Sequence, residues 1–407
     1  MTDLIIIGAG LAGLFAANMA ADLGASVCLV ARGRGGLSLS HGCIAVLNRA
    51  QPLRALDRLP ASHPYQLAGK EALKQSVKAF ASWMRAGDLH YRGRLGQSLP
   101  ILQASGRSAW VNLAPPSLGQ IHGRSVGVGA IEGFRDFAPQ MLAQALRAKE
   151  DYRVRVLPLP LPRSSRELYA IDLAARFDDP LWRNETLRLW KPLARGLDTL
   201  ILPAILGLSM HSDLFNLIQE HFGCAVLEIP TLPPSLPGLR LERALRQRAK
   251  QHGVRIIEGA PAIGRVEGPS GQARVIGIQL QSAGGPRMLS SGALLLATGG
   301  VIHGGLVALH PNRMRETVFG YPIEVQPERS AWTELSPFSP QAYAMAGLRV
   351  NTRMQPLDPA GEPLFANLYA AGGVISGSDR VYEGSRQGID LATAYRAVQS
   401  IMEDSYH

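Results

Sequence analysis

Leu4-Ile5-Ile6-Ile7 runs directly into Gly8-Ala9-Gly10-Leu11-Ala12-Gly13, and this junction restricts the fold more than any other part of the chain. A short continuous apolar run of this kind reads as a parallel strand buried on both faces. The glycines fit the pattern GxGxxG. Gly8 permits the tight turn, Gly10 lets a pyrophosphate approach the backbone, and Gly13 lets helix and strand pack closely. A helical stretch from Leu11 to about Leu23, closed by Gly24, and a second strand from Ser26 to Val30 complete a β-α-β unit. The unpaired amides and positive dipole end of that helix suit an anion. The segment therefore predicts a dinucleotide or flavin nucleotide held by Gly8, Gly10, Leu11, Ala12 and Gly13. The unit opens at residue 3, so no leader is expected.

One customary part is missing. An acidic residue about 20 positions on should end the second strand and bond the ribose hydroxyls. Here the strand ends Val30-Ala31-Arg32-Gly33-Arg34. Either Arg32 or Arg34 meets a 2′-phosphate, or the adenosine half is weakly held. The following run, Gly35-Gly36-Leu37-Ser38-Leu39-Ser40-His41-Gly42-Cys43, offers small residues and hydroxyls for close approach to a cofactor. Arg32, Gly35, Gly36, Ser38 and Ser40 are its candidate contacts. His41 and Cys43 admit a reactive reading, including covalent flavin attachment. The expected reading is plainer, with Cys43 a small buried hydrophobe and His41 a hydrogen-bonded loop residue.

Composition bounds the rest. At about one domain per 150 residues, a chain of 407 residues predicts two or three domains. With 46% hydrophobic and 18% charged residues it buries a large core, which excludes dominant disorder. The 43 glycines and 28 prolines have no period, which excludes a collagen-like chain. Cys28, Cys43 and Cys224 lie far apart with no CxxC, so neither iron–sulfur clusters, structural zinc nor a disulfide framework is expected, and the count fits a reducing compartment. The net charge is +10, and only six of the 42 basic residues are Lys. Such an Arg-rich balance suits anionic partners, or reflects a GC-rich genome with Arg on solvated faces. Leu4 to Val30 carries Asn18 and Asp22, and Leu200 to Met210 is short and holds Pro203, so no membrane span is expected.

From Gln51 to Ile229 the pattern becomes irregular, with helical pieces near 68–86, 132–148 and 211–221 and the connector Leu157-Pro158-Leu159-Pro160-Leu161-Pro162. This predicts an inserted domain of mixed α+β structure covering a site on the first. Pro230 to Pro237 returns the chain to that first domain. A basic helix over about 239–252 and the strand Val254 to Ile257 read as a crossover onto a sheet rather than a membrane-surface element. Ala293 to Ala297 is another buried strand and ends in Thr298-Gly299-Gly300. Asn367 to Ala371 runs into Gly372-Gly373, with a helix over about 384–403. The resulting fold class is α/β: a Rossmann-type FAD/NAD(P)-binding domain with a parallel sheet, in two parts over 1–50 and 231–407, plus an inserted α+β cap over 51–230.

Leu368-Tyr369-Ala370-Ala371-Gly372-Gly373 followed by Glu383-Gly384-Ser385-Arg386-Gln387-Gly388 is similar to the closing motif of two-domain flavoproteins. There the backbone after the last strand contacts the flavin, and the next helix aims its N-terminus at the flavin pyrimidine. Reduced flavin carries negative charge at that edge, which a helix dipole end stabilises. Thr298, Gly299, Gly372, Gly373, Gly384 and Ser385 are thus further cofactor candidates. Gly373 stands where an acidic residue is usual.

GAGLAG, ATGG and LYAAGG, in that order, resemble the glutathione-reductase-like flavoproteins, nearest the fumarate-reductase branch with its inserted cap. Glu228-Ile229-Pro230-Thr231-Leu232-Pro233-Pro234-Ser235-Leu236-Pro237-Gly238-Leu239-Arg240-Leu241 resembles, more narrowly, the family of anaerobic glycerol-3-phosphate dehydrogenase B subunits. So do His303-Gly304-Gly305-Leu306-Val307 and Gly133-Phe134-Arg135-Asp136-Phe137. The resemblance implies a flavin-bearing subunit of a complex that oxidises sn-glycerol 3-phosphate to dihydroxyacetone phosphate. It further implies an A-type flavoprotein subunit, an iron–sulfur C-type subunit, membrane quinone as the final acceptor, and a cytoplasmic site peripheral to the membrane. FMN is implied by the family, whereas the GAGLAG loop suggests FAD. Oxidation in this chain itself needs a base, for which His41, His122 and His303 are candidates, and cations for the phosphate, for which Arg107, Arg124, Arg380 and Arg386 are candidates. A relay of electrons from the partner subunit is the alternative role. A stand-alone oxidoreductase of another hydroxy or amino compound is a second reading. A scaffold or RNA-binding flavoprotein is a third, disfavoured by 6% aromatics with no basic–aromatic block.

Overall fold

The computed structural model describes residues 2–162, 168–209, 212–269, 273–282 and 284–405. Met210, which ends the apolar run considered above, and residue 211, the expected start of a helix, lie outside the described residues. The chain forms two compact units, one of Met1–Gly36, Ala45–Phe80 and Leu245–His407, the other of Leu37–Ile44 and Ala81–Ala244.

The first unit begins as its sequence dictates. Strand β1 (Thr2–Ile7) leads into helix α1 (Leu11–Asp22) and strand β2 (Val27–Ala31). Leu4, Ile5 and Ile6 are fully buried, as a parallel strand covered on both faces requires. Helix α1 is apolar almost all round and buried accordingly, with Leu14, Phe15, Ala16 and Ala17 inaccessible. Helix α2 (Pro64–Ala68) also belongs here, and the Tyr65 hydroxyl ties it to the C-terminal segment by donating to the Ser385 carbonyl at 3.3 Å. The cut expected after residue 50 therefore falls later, inside helix α3 (Lys70–Ala86).

In the second unit, strands β3 (Ser125–Ile131), β4 (Arg153–Leu159), β5 (Thr199–Pro203) and β6 (Ala225–Ile229) form one sheet in the order β6–β5–β3–β4. Every pairing is parallel. Helix α4 (Pro139–Arg147) connects β3 to β4, helices α5 (Ala170–Phe177) and α6 (Pro180–Trp190) connect β4 to β5, and α7 (Ser212–Phe222) connects β5 to β6. This insert is more regular than the mixed α+β arrangement expected for it, although the hairpin of Leu99–Leu102 with Ser108–Val111 adds an antiparallel element. The regularity is hidden in the sequence because β3 is interrupted by Gly127 and Gly129, which leave room for Leu157, Leu159 and Leu202. The helix expected over 132–148 is shorter because the chain first bridges Phe134 to Leu168.

The strand order has a switch point between β3 and β5, where open parallel sheets ordinarily receive a ligand at their carboxyl edge. Here the chain's own Pro230–Ser235 segment crosses that edge: the Leu232 amide reaches the Asp136 carbonyl beyond β3 at 3.4 Å. The Ser235 amide then donates to the Ser38 carbonyl at 2.7 Å, and a Cβ at Gly238 would overlap the Leu37 carbonyl. The unusual TLPPS run is thus a strap that backs residues 37–44, which is why those residues belong to the second unit.

Helix α8 (Leu236–Gln251) returns the chain, starting earlier than the sequence suggests. Strands β7 (Arg255–Glu258), β8 (Ala262–Glu267), β9 (Arg274–Ser282), β10 (Gly285–Leu296) and β11 (Leu368–Ala370) complete the first unit's sheet, ordered β7–β2–β1–β10–β9–β8 with β11 beside β10. The return falls near Leu245 rather than at 231. Helix α9 (Arg386–Ser405) packs on α1.

Candidate functional site

In the first unit the carboxyl ends of β1, β2, β10 and β11 bring four glycine-bearing loops together. At Gly8, φ is +119°, and a Cβ there would overlap the Ala297 carbonyl; a Cβ at Gly13 would overlap the Gly8 carbonyl. These two glycines are demanded by the protein. A Cβ at Gly10 would meet nothing within 4 Å. Gly10 is the N-cap of α1 and supplies no side-chain bond, and the amides of Leu11, Ala12 and Gly13 have no acceptor among the described residues. Open space over uncapped amides is what an approaching phosphate needs.

The neighbouring loops close round this point. A Cβ on Gly35 would overlap the Ala9 carbonyl. At Gly372 it would lie 2.9 Å from Ala12 Cβ and 2.7 Å from Asp390 Oδ1, and at Gly373 it would overlap the Arg380 guanidinium. Where an acidic side chain is usual, Arg380 thus lays its guanidinium over Gly373. Thr298 Oγ1 is buried without a hydrogen-bond partner, an orphaned polar atom within the cradle. Gly384 and Ser385 lead into α9, whose first two amides, those of Arg386 and Gln387, also lack an acceptor among the described residues. Two uncapped helix starts, an orphaned hydroxyl and a cleared backbone fit a flavin nucleotide.

The adenosine end differs from expectation. Arg32 is exposed at the end of β2. The carboxylate beside that end is Glu258, opposite Ala31 on β7 and ion-paired with Arg246 at 2.8 Å. Sequence reasoning passes over Glu258 because it sits on the neighbouring strand rather than at the customary spacing.

His303, Arg380 and Arg386 come together in the first unit. A Cβ at Gly36 would lie 2.5 Å from His303 Nε2, and one at Gly299 2.7 Å from His303 Cβ, so both glycines make room for this residue. His303 is exposed as a whole, yet its ring is pressed against that backbone. Partial desolvation first, then the charges of Arg386 and Arg380, hold the imidazole below its ordinary value. Arg380 is tied to Asp390 at 2.8 Å. Burial pushes the Asp390 carboxyl up, against the pull of both arginines. The Arg386 side chain makes no ion pair or hydrogen bond among the described residues, and burial together with repulsion from Arg380 lowers its guanidinium despite Asp390. It is a largely desolvated cation with no bonded counter-charge among the described residues. Asp390 is not foreseen from the sequence; its signal there is the i,i+4 spacing from Arg386.

The remaining candidates lie in the second unit. The Ser40 hydroxyl donates to the Leu37 carbonyl at 2.8 Å and accepts the Gly42 amide at 3.2 Å, which commits it to a local turn. Ser38 contributes its carbonyl to the strap. His41 Nδ1 accepts the Cys43 amide at 3.1 Å. Cys43 is buried, and desolvation pushes its thiol far up against a small opposing pull from Arg92. That environment gives no thiolate, which answers the reactive reading of Cys43. His122 is exposed, its amide donating to Thr199 Oγ1 at 2.9 Å. Arg107 is exposed in a hairpin turn, and Arg124 is exposed with its amide on Asp198 Oδ2 at 2.8 Å. No group of three or more metal-ligating side chains stands together among the described residues, and no helix there is long and apolar enough to cross a membrane.

The sequence model of the FAD binding domain family matches residues 3–389. The anaerobic glycerol-3-phosphate dehydrogenase B subunit of Actinobacillus pleuropneumoniae serotype 5b is 30% identical over 431 residues, covering 98% of both chains. The protein of the same name from Pectobacterium atrosepticum is 30% identical over 424 residues, covering 99% of both. Among solved structures, a 3-ketosteroid Δ1-dehydrogenase from Sterolibacterium denitrificans aligns over 99% of both chains at 13% identity and a TM-score of 0.46. A flavocytochrome c3 fumarate reductase aligns over 100% of this chain and 79% of its own at 11% identity and a TM-score of 0.43.

Proposed function

The chain belongs to the FAD binding domain family and, within it, to the anaerobic glycerol-3-phosphate dehydrogenase B subunits, and from that premise we propose that it oxidises sn-glycerol 3-phosphate to dihydroxyacetone phosphate as one subunit of a quinone-linked complex. Its cofactor is FAD, in keeping with the GAGLAG loop rather than with the FMN alternative. When bound, FAD supplies the two-electron acceptor for the hydride of the secondary alcohol.

The observation that carries this reading is an imidazole packed against Gly36 and Gly299 beside a guanidinium, that of Arg386, with no bonded counter-charge among the described residues. His303 takes the hydroxyl proton at its unprotonated ring nitrogen, which its lowered pKa keeps available at neutral pH. Arg386 binds the phosphate, and Arg380, anchored by Asp390, adds charge behind it. The amides opening α1 would hold the FAD pyrophosphate, and the orphaned Thr298 hydroxyl would gain a hydrogen-bond partner from the cofactor. The amides opening α9 would stabilise the pyrimidine edge, and Glu258, beside the end of β2, would bond the adenosine ribose.

In this assignment electrons pass to an A-type flavoprotein subunit and an iron–sulfur C-type subunit, and then to membrane quinone. The assembly is cytoplasmic and peripheral to the inner face of the membrane. Support for partners comes from the relatives, which are named as subunits. Anaerobic titration of the FAD-loaded chain with sn-glycerol 3-phosphate tests the assignment. Loss of the visible flavin absorbance by the isolated chain is the expected result. Bleaching only after a partner subunit is added would instead make this chain a relay.

A further inference from the structure

Beside the start of α9 lies a set of polar side chains that the chemistry above does not use. His63 is 1% exposed, and its Nδ1 accepts the Tyr65 amide at 3.1 Å. Its proton therefore sits on Nε2, which donates to Glu383 Oε2 at 3.1 Å. The same carboxylate oxygen accepts the Ser385 hydroxyl at 2.9 Å.

Ser385 is the residue from which α9 starts: its carbonyl accepts the Ile389 amide at 3.0 Å. A serine in this place ordinarily turns its oxygen onto the second or third amide of the helix. Ser385 does not. The third amide, Gly388, donates instead to the Ala45 carbonyl at 3.0 Å, and those of Arg386 and Gln387 have no acceptor among the described residues. The Tyr65 hydroxyl contacts both the Val46 and Ser385 carbonyls, at 2.6 and 3.3 Å, which fixes the backbone here. Rotation of the Ser385 side chain is then all that separates a capped helix from an open one.

We propose that Glu383 is a positioning residue that keeps α9 uncapped. By drawing the Ser385 hydroxyl to itself, with His63 holding the carboxylate in place, it reserves the amides of Arg386 and Gln387 for the electron-rich pyrimidine edge of the cofactor. Arg380 and Asp390 are the other charged groups near Tyr65 in this neighbourhood. The inference rests on the placement of FAD at the start of α9 given above.

The test is a double-mutant cycle on the FAD-loaded chain, read as the flavin midpoint potential. In Glu383→Ala, the freed Ser385 hydroxyl turns onto the helix and competes with the reduced flavin for its amides. Comparing Glu383→Ala with Glu383→Ala/Ser385→Ala holds the charge constant and changes only whether capping is available. The double variant is expected to favour the reduced flavin about tenfold more, a rise of about 30 mV for a two-electron couple. Ser385→Ala in the parent is expected to shift the potential by much less. An equal shift in both backgrounds would overturn the proposal, because a merely structural Glu383 does not couple to that hydroxyl. Glu383→Met replaces the alanine variant if the latter does not fold, with the same coupling expected. Failure of the parent to bind FAD would instead reject the cofactor placement on which the inference rests.

Discussion

Gly8, Gly10 and Gly13 share one motif for different reasons. Substitution of Gly13 forces a Cβ into the Gly8 carbonyl, backbone against backbone, with no flexible neighbour to give way. Substitution of Gly10 touches no protein atom. Gly10→Ala should therefore fold with a near-parental melting temperature and lose most of its bound FAD, whereas Gly13→Ala should lose stability in the FAD-free protein as well. Flavin content and apo-protein melting, measured together, separate the two. His303 carries the second expectation at this scale. Its depressed pKa means that the neutral base persists as pH falls through the ordinary histidine value of about 6.5. The acid limb of kcat/KM should lie below that value, and His303→Asn should lower kcat by roughly 10²–10⁴ with FAD retained. A parental pH profile in the variant would remove His303 from the chemistry.

At the scale of elements, the strap of the second unit hangs from a buried ion pair between the end of β6 and the start of α8. Glu228 accepts the Ile205 and Leu206 amides at 3.0 and 2.9 Å and pairs with Arg240, whose Nε also donates to the Gly207 carbonyl at 2.7 Å. Burial acts to raise the carboxyl, but Arg240 and the hydrogen bonds outweigh it and hold Glu228 below its ordinary value. A carboxyl depressed on folding stabilises the fold above its unfolded pKa, and that contribution is lost as pH falls through the folded value. Glu228→Gln leaves Arg240 buried without its counter-charge and should cost about 3–5 kcal/mol at neutral pH, measured by urea unfolding. The difference from the parent should shrink in acid, where the parent carboxyl is itself protonated. Adding Arg240→Met should restore much of the lost stability.

Across the whole molecule, the parts read most easily from sequence are those whose shape is set locally. The β-α-β opening, the ATGG turn and the final helix each declare themselves through an apolar period and the steric needs of adjacent glycines. The second unit does not, because its strands are short, β3 carries two glycines, and α5 and α6 lie among prolines that resemble connectors. The domain cuts fall elsewhere than expected for a related reason. Residues 37–44 belong to the second unit through the Ser38–Ser235 contact, and residues 45–80 to the first through contacts such as that of Tyr65 with Ser385, and neither partner is near in sequence.

The chain by itself determined that the first helix would open on uncapped amides behind Gly8 and Gly10, because strand, glycines and helix are contiguous and their geometry follows from bond rotation and side-chain size. It did not determine which arginine remains available. Spacing along α9 pairs Asp390 with Arg386, yet Asp390 bonds Arg380, which reaches it from the preceding loop. Only the tertiary fold decided that, since which charges pair in a partly buried cluster depends on which groups folding brings within reach and removes from water.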